Sequence, residues 1–384
     1  MRIGLFTDTY LPTVDGVVNS LLATRHALER MGHDVVVCAP EDRKNGSPED
    51  EKAIYCRARE FKKYPGYRMA RLFSDRLTLA MQEYEPDLMH SHGVAVVGMK
   101  SMWASRELKV PYVLTFHTMV LDALNYYSPV KLNISFMRWL IRRYLGFFLH
   151  RCKGIVVPTS VIAWEVRALA PRVKMMEVIP TGVDTQRFHT KVSGREVRER
   201  WGLDSNELIL HVGRVSPEKN VSVLLSAFSL VKREKPDAKL MIVGSGPALD
   251  ESKTRAKGMG LQDDVIFAGF IDDRLLPKYY AACDAFAITS TFETQGLVVL
   301  EAMATGKCVA GAKYRAIPEF VKEGETGFLF EPYNAFDCSR AIIKALDCNG
   351  DLKDNARQMA ERYSIERCTE KLVSFYETLI EQSH

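Results

Sequence analysis

Short, uninterrupted apolar runs alternate along the chain with longer stretches in which apolar residues recur every three or four positions. The first kind predicts strands buried on both faces, the second amphipathic helices. Arg2–Thr7 reads as a strand, and Val18, Leu21, Leu22, Ala27 and Leu28 give helical spacing from about Gly16 to Met31, closed by Gly32-His33-Asp34. Strands follow at Val35–Ala39, Leu88–His90, Tyr112–Phe116 and Gly154–Pro158, with helices near Ser74–Tyr84, Gly98–Leu108 and Ser135–His150. The alternation pauses in the polar stretch Thr185–Arg200, which has few large apolar groups and reads as a linker. It resumes with strands Leu208–Val212, Lys239–Val243, Val265–Ala268, Ala285–Ile288 and Cys308–Ala310. Helices are predicted at Ser222–Arg233, about Leu249–Met259, Leu297–Thr305, Ala335–Leu346 and Ile365–Glu381. Such alternation predicts an α/β protein of two doubly wound parallel-sheet domains, 1–185 and 186–364, with the last helix (365–384) free to pack back on the first.

Composition narrows the class. With 384 residues, 47% apolar and 26% charged, the chain fits two globular domains and excludes a disordered chain, a collagen-like repeat or a coiled coil. A net charge of +4 offers no case for nucleic-acid binding. The eight cysteines are scattered without a C-x-x-C pair, which argues against a cysteine zinc site and a disulfide scaffold. The first apolar run meets Asp8, too early for a secretory leader, and no run reaches the roughly 18–20 apolar residues of a spanning helix. A reduced protein on the cytoplasmic side is expected, with the sequons at Asn45, Asn133 and Asn220 as chance matches.

Open α/β sheets bind ligands beyond the carboxyl ends of their strands. After strand 208–212 comes Gly213-Arg214-Val-Ser-Pro-Glu218-Lys219-Asn220, where an arginine fork and a lysine point charge suit a diphosphate; a loop with two solvated cations is the plainer alternative. Gly244-Ser-Gly246-Pro247 after the next strand is a poor match to a phosphate loop and serves equally as a turn. In Ser290-Thr-Phe-Glu293-Thr-Gln295-Gly296-Leu297-Val-Val-Leu-Glu301, one carboxylate precedes a helix N-terminus and the other lies about a turn inside it. That terminus attracts anions, and both carboxylates can accept hydrogen bonds from hydroxyl groups. Helix capping explains Glu293 tolerably, but explains poorly an acid at Glu301 within an otherwise apolar string.

Glu293 and Glu301, spaced as E-x7-E, together with Gly213-Arg214 and Lys219, resemble the retaining GT-B glycosyltransferases of family GT4. Thr7-Asp8-Thr9-Tyr10 through Asp15-Gly16-Val17, His90-Ser-His92-Gly93, Thr115-Phe116-His117-Thr118, Pro180-Thr-Gly-Val-Asp184 and Ile317-Pro318-Glu319 with Gly324-Glu-Thr-Gly327 match in family order. The resemblance runs from residue 3 to about 330. It implies the GT-B fold, two Rossmann-like domains facing across a cleft, and a nucleotide diphosphate sugar as donor, with no metal or other cofactor. Arg214 and Lys219 would neutralise the diphosphate. Glu293 would meet the sugar and Glu301 the ribose, while the backbone at Gln295, Gly296 and Leu297 and at Gly16, Gly213 and Gly244 would approach the donor. His117 takes the place of the family histidine at the reacting centre. Asp15 where relatives carry glycine, Cys308 where proline is usual, and Arg315-Ala316 where small residues are common depart from the pattern and bear on the sugar.

Local charge then changes the picture. Residues 1–190 hold 26 basic against 19 acidic side chains and residues 191–384 hold 26 against 29, so the first domain carries the excess. Seven basic residues cluster between Arg57 and Arg76. Lys131–Lys153 has six and no acid, interleaved with aromatic and aliphatic residues at helical spacing. Such a helix suits the interface of an anionic bilayer, with a core helix as the plainer alternative. Arg138, Trp139, Arg142, Arg143 and Tyr126 are the candidate acceptor or membrane contacts. The expectation is hexose transfer to a membrane lipid or lipid-linked glycan by an enzyme peripheral to the cytoplasmic face. Transfer to a soluble sugar or sugar phosphate, a GT-B epimerase and a non-catalytic nucleotide-sugar-binding module are the alternatives. Donor base, sugar and oligomeric state are not legible.

Overall fold

The computed structural model describes residues 1–13, 15–41, 50–60, 68–71, 76–117, 134–203 and 205–383. They divide into two compact units, Met1–Gly182 with Ile365–His384, and Val183–Ser364.

Unit 1 contains β1 (Arg2–Phe6), α1 (Gly16–Arg30), β2 (Asp34–Pro40), β3 (Ala53–Cys56) and a small antiparallel pair, β4 (Ala58–Glu60) and β5 (Arg68–Ala70). It continues with α2 (Arg76–Tyr84), β6 (Leu88–Ser91), α3 (Val96–Leu108), β7 (Tyr112–Thr115), α4 (Ile134–Leu149), β8 (Gly154–Val157), α5 (Ser160–Leu169) and β9 (Met176–Val178). Seven strands form one parallel sheet in the order β3-β2-β1-β6-β7-β8-β9. Strands β6, β7 and β8 are buried along their whole length, although β6 ends in His90 and Ser91 and β7 in Thr115. From β6 to β9 each crossover moves one place in the same direction, so right-handed connections put α3, α4 and α5 on one face. Helix α1 crosses the other way and covers the opposite face, against the C-terminal helix (Ile365–Glu381).

Unit 2 contains α6 (Arg195–Trp201), β10 (Leu208–Val212), α7 (Val221–Glu234), β11 (Lys239–Val243), α8 (Leu249–Gly258), β12 (Val265–Gly269), α9 (Leu276–Ala282) and β13 (Ala285–Ile288). Then follow α10 (Leu297–Ala304), β14 (Cys308–Ala312), α11 (Ile317–Phe320), β15 (Gly327–Phe330), α12 (Ala335–Leu346) and α13 (Gly350–Arg362). Its parallel sheet runs β12-β11-β10-β13-β14-β15, and the direction of winding reverses between β10 and β13. In unit 1 it reverses between β1 and β6. Each reversal leaves a crevice at the strands' carboxyl ends.

Two expectations are corrected. The stretch 185–200 is not a bare tether: Phe188 and Val197 are 2% and 4% exposed within the core of unit 2, and α6 begins in it. Arg198 anchors it as well, donating to the carbonyls of Ala282, Leu203 and Asn206 and to the Asp284 carboxylate. The cysteines are not all thiols either. Cys308, which opens β14, is joined to Cys348 between α12 and α13.

Candidate active site

In unit 2, the exits of β10 and β13 lie side by side because these strands are sheet neighbours. Gly213 takes a positive φ of 156° at the first exit. The loop after β11 packs backbone to backbone against it: a Cβ at Gly244 would sit 1.9 Å from the Gly213 carbonyl oxygen, and Val215 N–H donates to the Ser245 carbonyl. Packing therefore accounts for glycine at 244 without a ligand. Arg214 is exposed and has no carboxylate partner among the described residues. The Lys219 ammonium donates to Glu293 Oε1 at 2.6 Å, with both side chains under a fifth exposed. The two loops are tied further by Thr291 N–H to the Glu218 carbonyl and Thr289 Oγ1 to the Lys219 carbonyl.

Gly296, at φ 81°, precedes α10 and supplies no side-chain cap, so the first amides of that helix are free of a capping side chain. A single carboxylate on the loop before it, Glu293, is held aside by Lys219. Glu301 accepts from the Tyr280 hydroxyl at 2.7 Å, and its pKa is pushed up to about 7 because burial outweighs that hydrogen bond and the pull of Arg187. Thus Glu293 and Glu301 have different partners, and Tyr280 was not singled out from sequence. No local pattern marks it, since it reaches Glu301 only through the packing of α9 on α10.

In unit 1, β6 and β7 pair with His90 opposite Val113, so alternating side chains beyond the strand ends fall side by side. His92 Nδ1 and His117 Nε2 are 2.9 Å apart, and their rings stack at 5.0 Å between centroids. His90 Nε2 meets Thr115 Oγ1 at 2.6 Å, and His90 Nδ1 meets the hydroxyl of Tyr376 from the C-terminal helix. Burial holds all three imidazoles neutral, lowering His90 to about 3, His117 to about 4 and His92 well below its usual range. His117 is therefore not a lone histidine but the outer member of a buried row. Among the described residues no three His, Cys, Asp or Glu side chains are disposed to hold a metal.

The glycine-containing loop after β1 is built by two aspartates. Asp8 accepts from the N–H groups of Ala95 and Val97 and so caps α3, while Asp15 accepts from those of Val17 and Val18 and caps α1. Gly16 faces open space, with nothing within 4 Å of where a Cβ would stand, but the Asp15 carboxylate already occupies the helix amides beside it. On α4, Trp139, Arg142 and Arg143 are exposed and Arg138 is partly buried; Tyr126 lies outside the described residues.

Two Rossmann-like units, the second bringing cations, carboxylates and an uncapped helix start to its switch point, define the class as nucleotide-sugar glycosyltransferases of GT-B architecture. Residues 14–187 match the family described as Glycosyltransferase Family 4, and residues 194–365 match Glycosyl transferases group 1. The alpha-monoglucosyldiacylglycerol synthase of Streptococcus pneumoniae is 33% identical over 362 residues, covering 92% of this chain and 80% of that one. The enzyme of the same name from Acholeplasma laidlawii is 26% identical over 408 residues, covering 100% and 98%. Anabaena HepE, solved with UDP and glucose, superposes with a TM-score of 0.77 at 21% identity over 98% of this chain and 100% of that one. The chain belongs to the family 4 glycosyltransferases and is a glycosyltransferase.

Proposed function

We propose that this enzyme transfers a hexose, with retention at the anomeric carbon, from a nucleotide diphosphate sugar bound by unit 2 to a hydroxyl of a membrane lipid met by unit 1. The observation that carries the lipid acceptor is α4. It leaves Phe136, Trp139, Leu140 and Phe147 between 48% and 59% exposed beside the exposed Arg142 and Arg143. A helix that merely covered a sheet would turn such a face inward, whereas an aromatic and basic face suits anionic headgroups. Two relatives named as diacylglycerol glycosyltransferases support the same acceptor class. The enzyme would work as a peripheral protein on the cytoplasmic face; no helix among the described residues is long and apolar enough to cross a membrane.

The chemistry follows from charge. Cleaving the anomeric C–O bond leaves an oxocarbenium-like centre and adds negative charge to the departing diphosphate. Arg214, Lys219 and the free amides at the start of α10 would receive that charge, the part a metal ion plays elsewhere. Lys219 has two further N–H donors to offer a phosphate oxygen while it holds Glu293, whose second carboxylate oxygen would accept from sugar hydroxyls. Glu301 would hold the ribose, and the neutral His117 would hydrogen-bond the sugar. The departing phosphate oxygen would take the acceptor's proton on the face where the new bond forms.

Incubating the full chain with labelled nucleotide sugars and diacylglycerol in phosphatidylglycerol vesicles tests the proposal. Labelled glycolipid is expected, with more than about a hundredfold loss in Lys219→Ala and in Glu293→Ala, both variants remaining folded at a lowered Tm. Normal turnover in both variants rejects the site, and transfer to soluble sugars alone rejects the lipid acceptor.

A further inference from the structure

We infer that unit 1 meets an anionic bilayer through a row of Trp-x-x-Arg pairs presented by three neighbouring helices, α3, α4 and α5, and not through α4 alone. This rests on the membrane reading above and extends it to two helices that carry no unusual local charge.

The pairs are Trp103-Ala-Ser-Arg106, Trp139-Leu-Ile-Arg142 and Trp164-Glu-Val-Arg167. Residues three apart share a helix face, so each helix sets an indole beside a guanidinium. Trp103, Trp139 and Trp164 are 47%, 55% and 73% exposed, and the three arginines are exposed too. The fourth tryptophan, Trp201, is partly buried in unit 2. The three helices form one layer, since each follows a one-place crossover in the same direction. Within the layer α4 joins its neighbours. The Tyr144 hydroxyl donates to the Val94 carbonyl just before α3, and at Gly146 a Cβ would stand 3.0 Å from the Leu169 carbonyl oxygen at the end of α5. Residues exposed on such a layer point away from the sheet, so the three pairs face the same side.

The occupant is set by this chemistry. Three large amphipathic rings left in water on one layer require a partner that takes the ring and leaves the indole N–H wet, as the headgroup boundary of a bilayer does. Arginine can lie alongside with its stem in the apolar zone and its charge at the phosphates. None of the three arginines has a carboxylate partner among the described residues, and the acids carried by the three helices are Glu107 and the partly buried Glu165.

Four full-length variants, each keeping one tryptophan with the others changed to phenylalanine, distinguish the outcomes. The probe is vesicles of phosphatidylglycerol and phosphatidylcholine with brominated acyl chains. Comparable quenching of Trp103, Trp139 and Trp164, with Trp201 unquenched, is expected. Replacing Arg106 or Arg167 by Ala should weaken partitioning about fivefold each, the equivalent of about 1 kcal/mol, with no change on neutral vesicles. Quenching of Trp139 alone overturns the row and leaves membrane binding by α4 intact. No quenching and no flotation at low salt overturns both. Dimers that Trp103→Ala or Trp164→Ala disperses, with no vesicle binding, would assign the face to a second copy of the chain and likewise overturn the inference.

Discussion

Lys219 and Glu293 neutralise each other across 2.6 Å, in the place where a diphosphate and a sugar are proposed to lie. An incoming nucleotide diphosphate therefore meets an ammonium whose charge Glu293 already offsets. Glu293→Gln removes the offsetting charge and keeps the shape, so UDP or GDP should bind about tenfold more tightly, close to the roughly 1.5 kcal/mol of a modest hydrogen bond to a charged group. The same change should abolish transfer. Calorimetric titration reads the first effect, and unchanged or weaker nucleotide binding would mean that Glu293 does not guard the lysine. Asp15 is a second self-occupied position, because its carboxylate holds the amides of Val17 and Val18. Glycine is nearly as good a cap as aspartate, costing only a few tenths of a kcal/mol. Asp15→Gly should accordingly leave Tm almost unchanged while lowering the KM for donor, if the start of α1 takes part in phosphate binding. An unchanged KM would confine donor binding to unit 2.

Elements bring together what sequence separates, and here the limits of legibility are clear. The parallel sheets are legible because both-face burial forces unbroken apolar strands, as in Ile3–Phe6 or Ala285–Ile288. Strands such as β9, where Glu177 and Val178 are exposed, lack that signature and escape notice. Lys219 and Glu293 each stand out in their own loops, yet their pairing depends on β10 and β13 being neighbours 70-odd residues apart, which no local pattern encodes. The same holds for Tyr280 beside Glu301. The burial of Glu301 has a measurable consequence, since a carboxyl with its pKa near 7 is a full acceptor only when ionised. If Glu301 accepts from ribose hydroxyls, donor affinity should rise about tenfold between pH 6 and pH 8, following its ionisation. Glu301→Gln should flatten the profile, and a wild-type profile already flat would remove Glu301 from the donor site. Gly93 shows tight packing between elements, because a Cβ there would lie 2.2 Å from the Asp8 carboxylate that caps α3. Gly93→Ala should destabilise unit 1 by about 1–3 kcal/mol, read as a lower Tm.

Across the whole molecule buried imidazoles weight the response to acid towards unit 1, which holds three of them against His211, lowered to about 4, in unit 2. In unit 1, His90, His92 and His117 have folded pKa values below the ordinary 6.5, the first and last at about 3 and about 4. Unfolded, they take up protons as pH falls through 6.5, while the folded unit resists until nearer 4, so their neutral burial favours folding fully above about pH 6.5 and progressively less down to 4. In unit 2, Glu301 is displaced upward from 4.5 to about 7, so its burial opposes folding above pH 7 and ceases to do so as pH falls through 7 towards 4.5. With three buried imidazoles against one, unit 1 is the more acid-sensitive half. The C-terminal helix should share its fate, because the Tyr376 hydroxyl closes the row at His90. Two units with separate cores need not unfold as one. Calorimetry from pH 8 to pH 5 should show unit 1 melting earlier as acid is added, with the trace separating into two transitions. A shift of about 2–4 °C is expected for each kcal/mol lost by a unit of this size. Amide exchange at pH 5 should then open β6, β7 and the C-terminal helix ahead of β10 and β13. Simultaneous loss of protection in both units, or a unit 2 that opens first, would show that the buried histidine row does not set the acid limit of the fold.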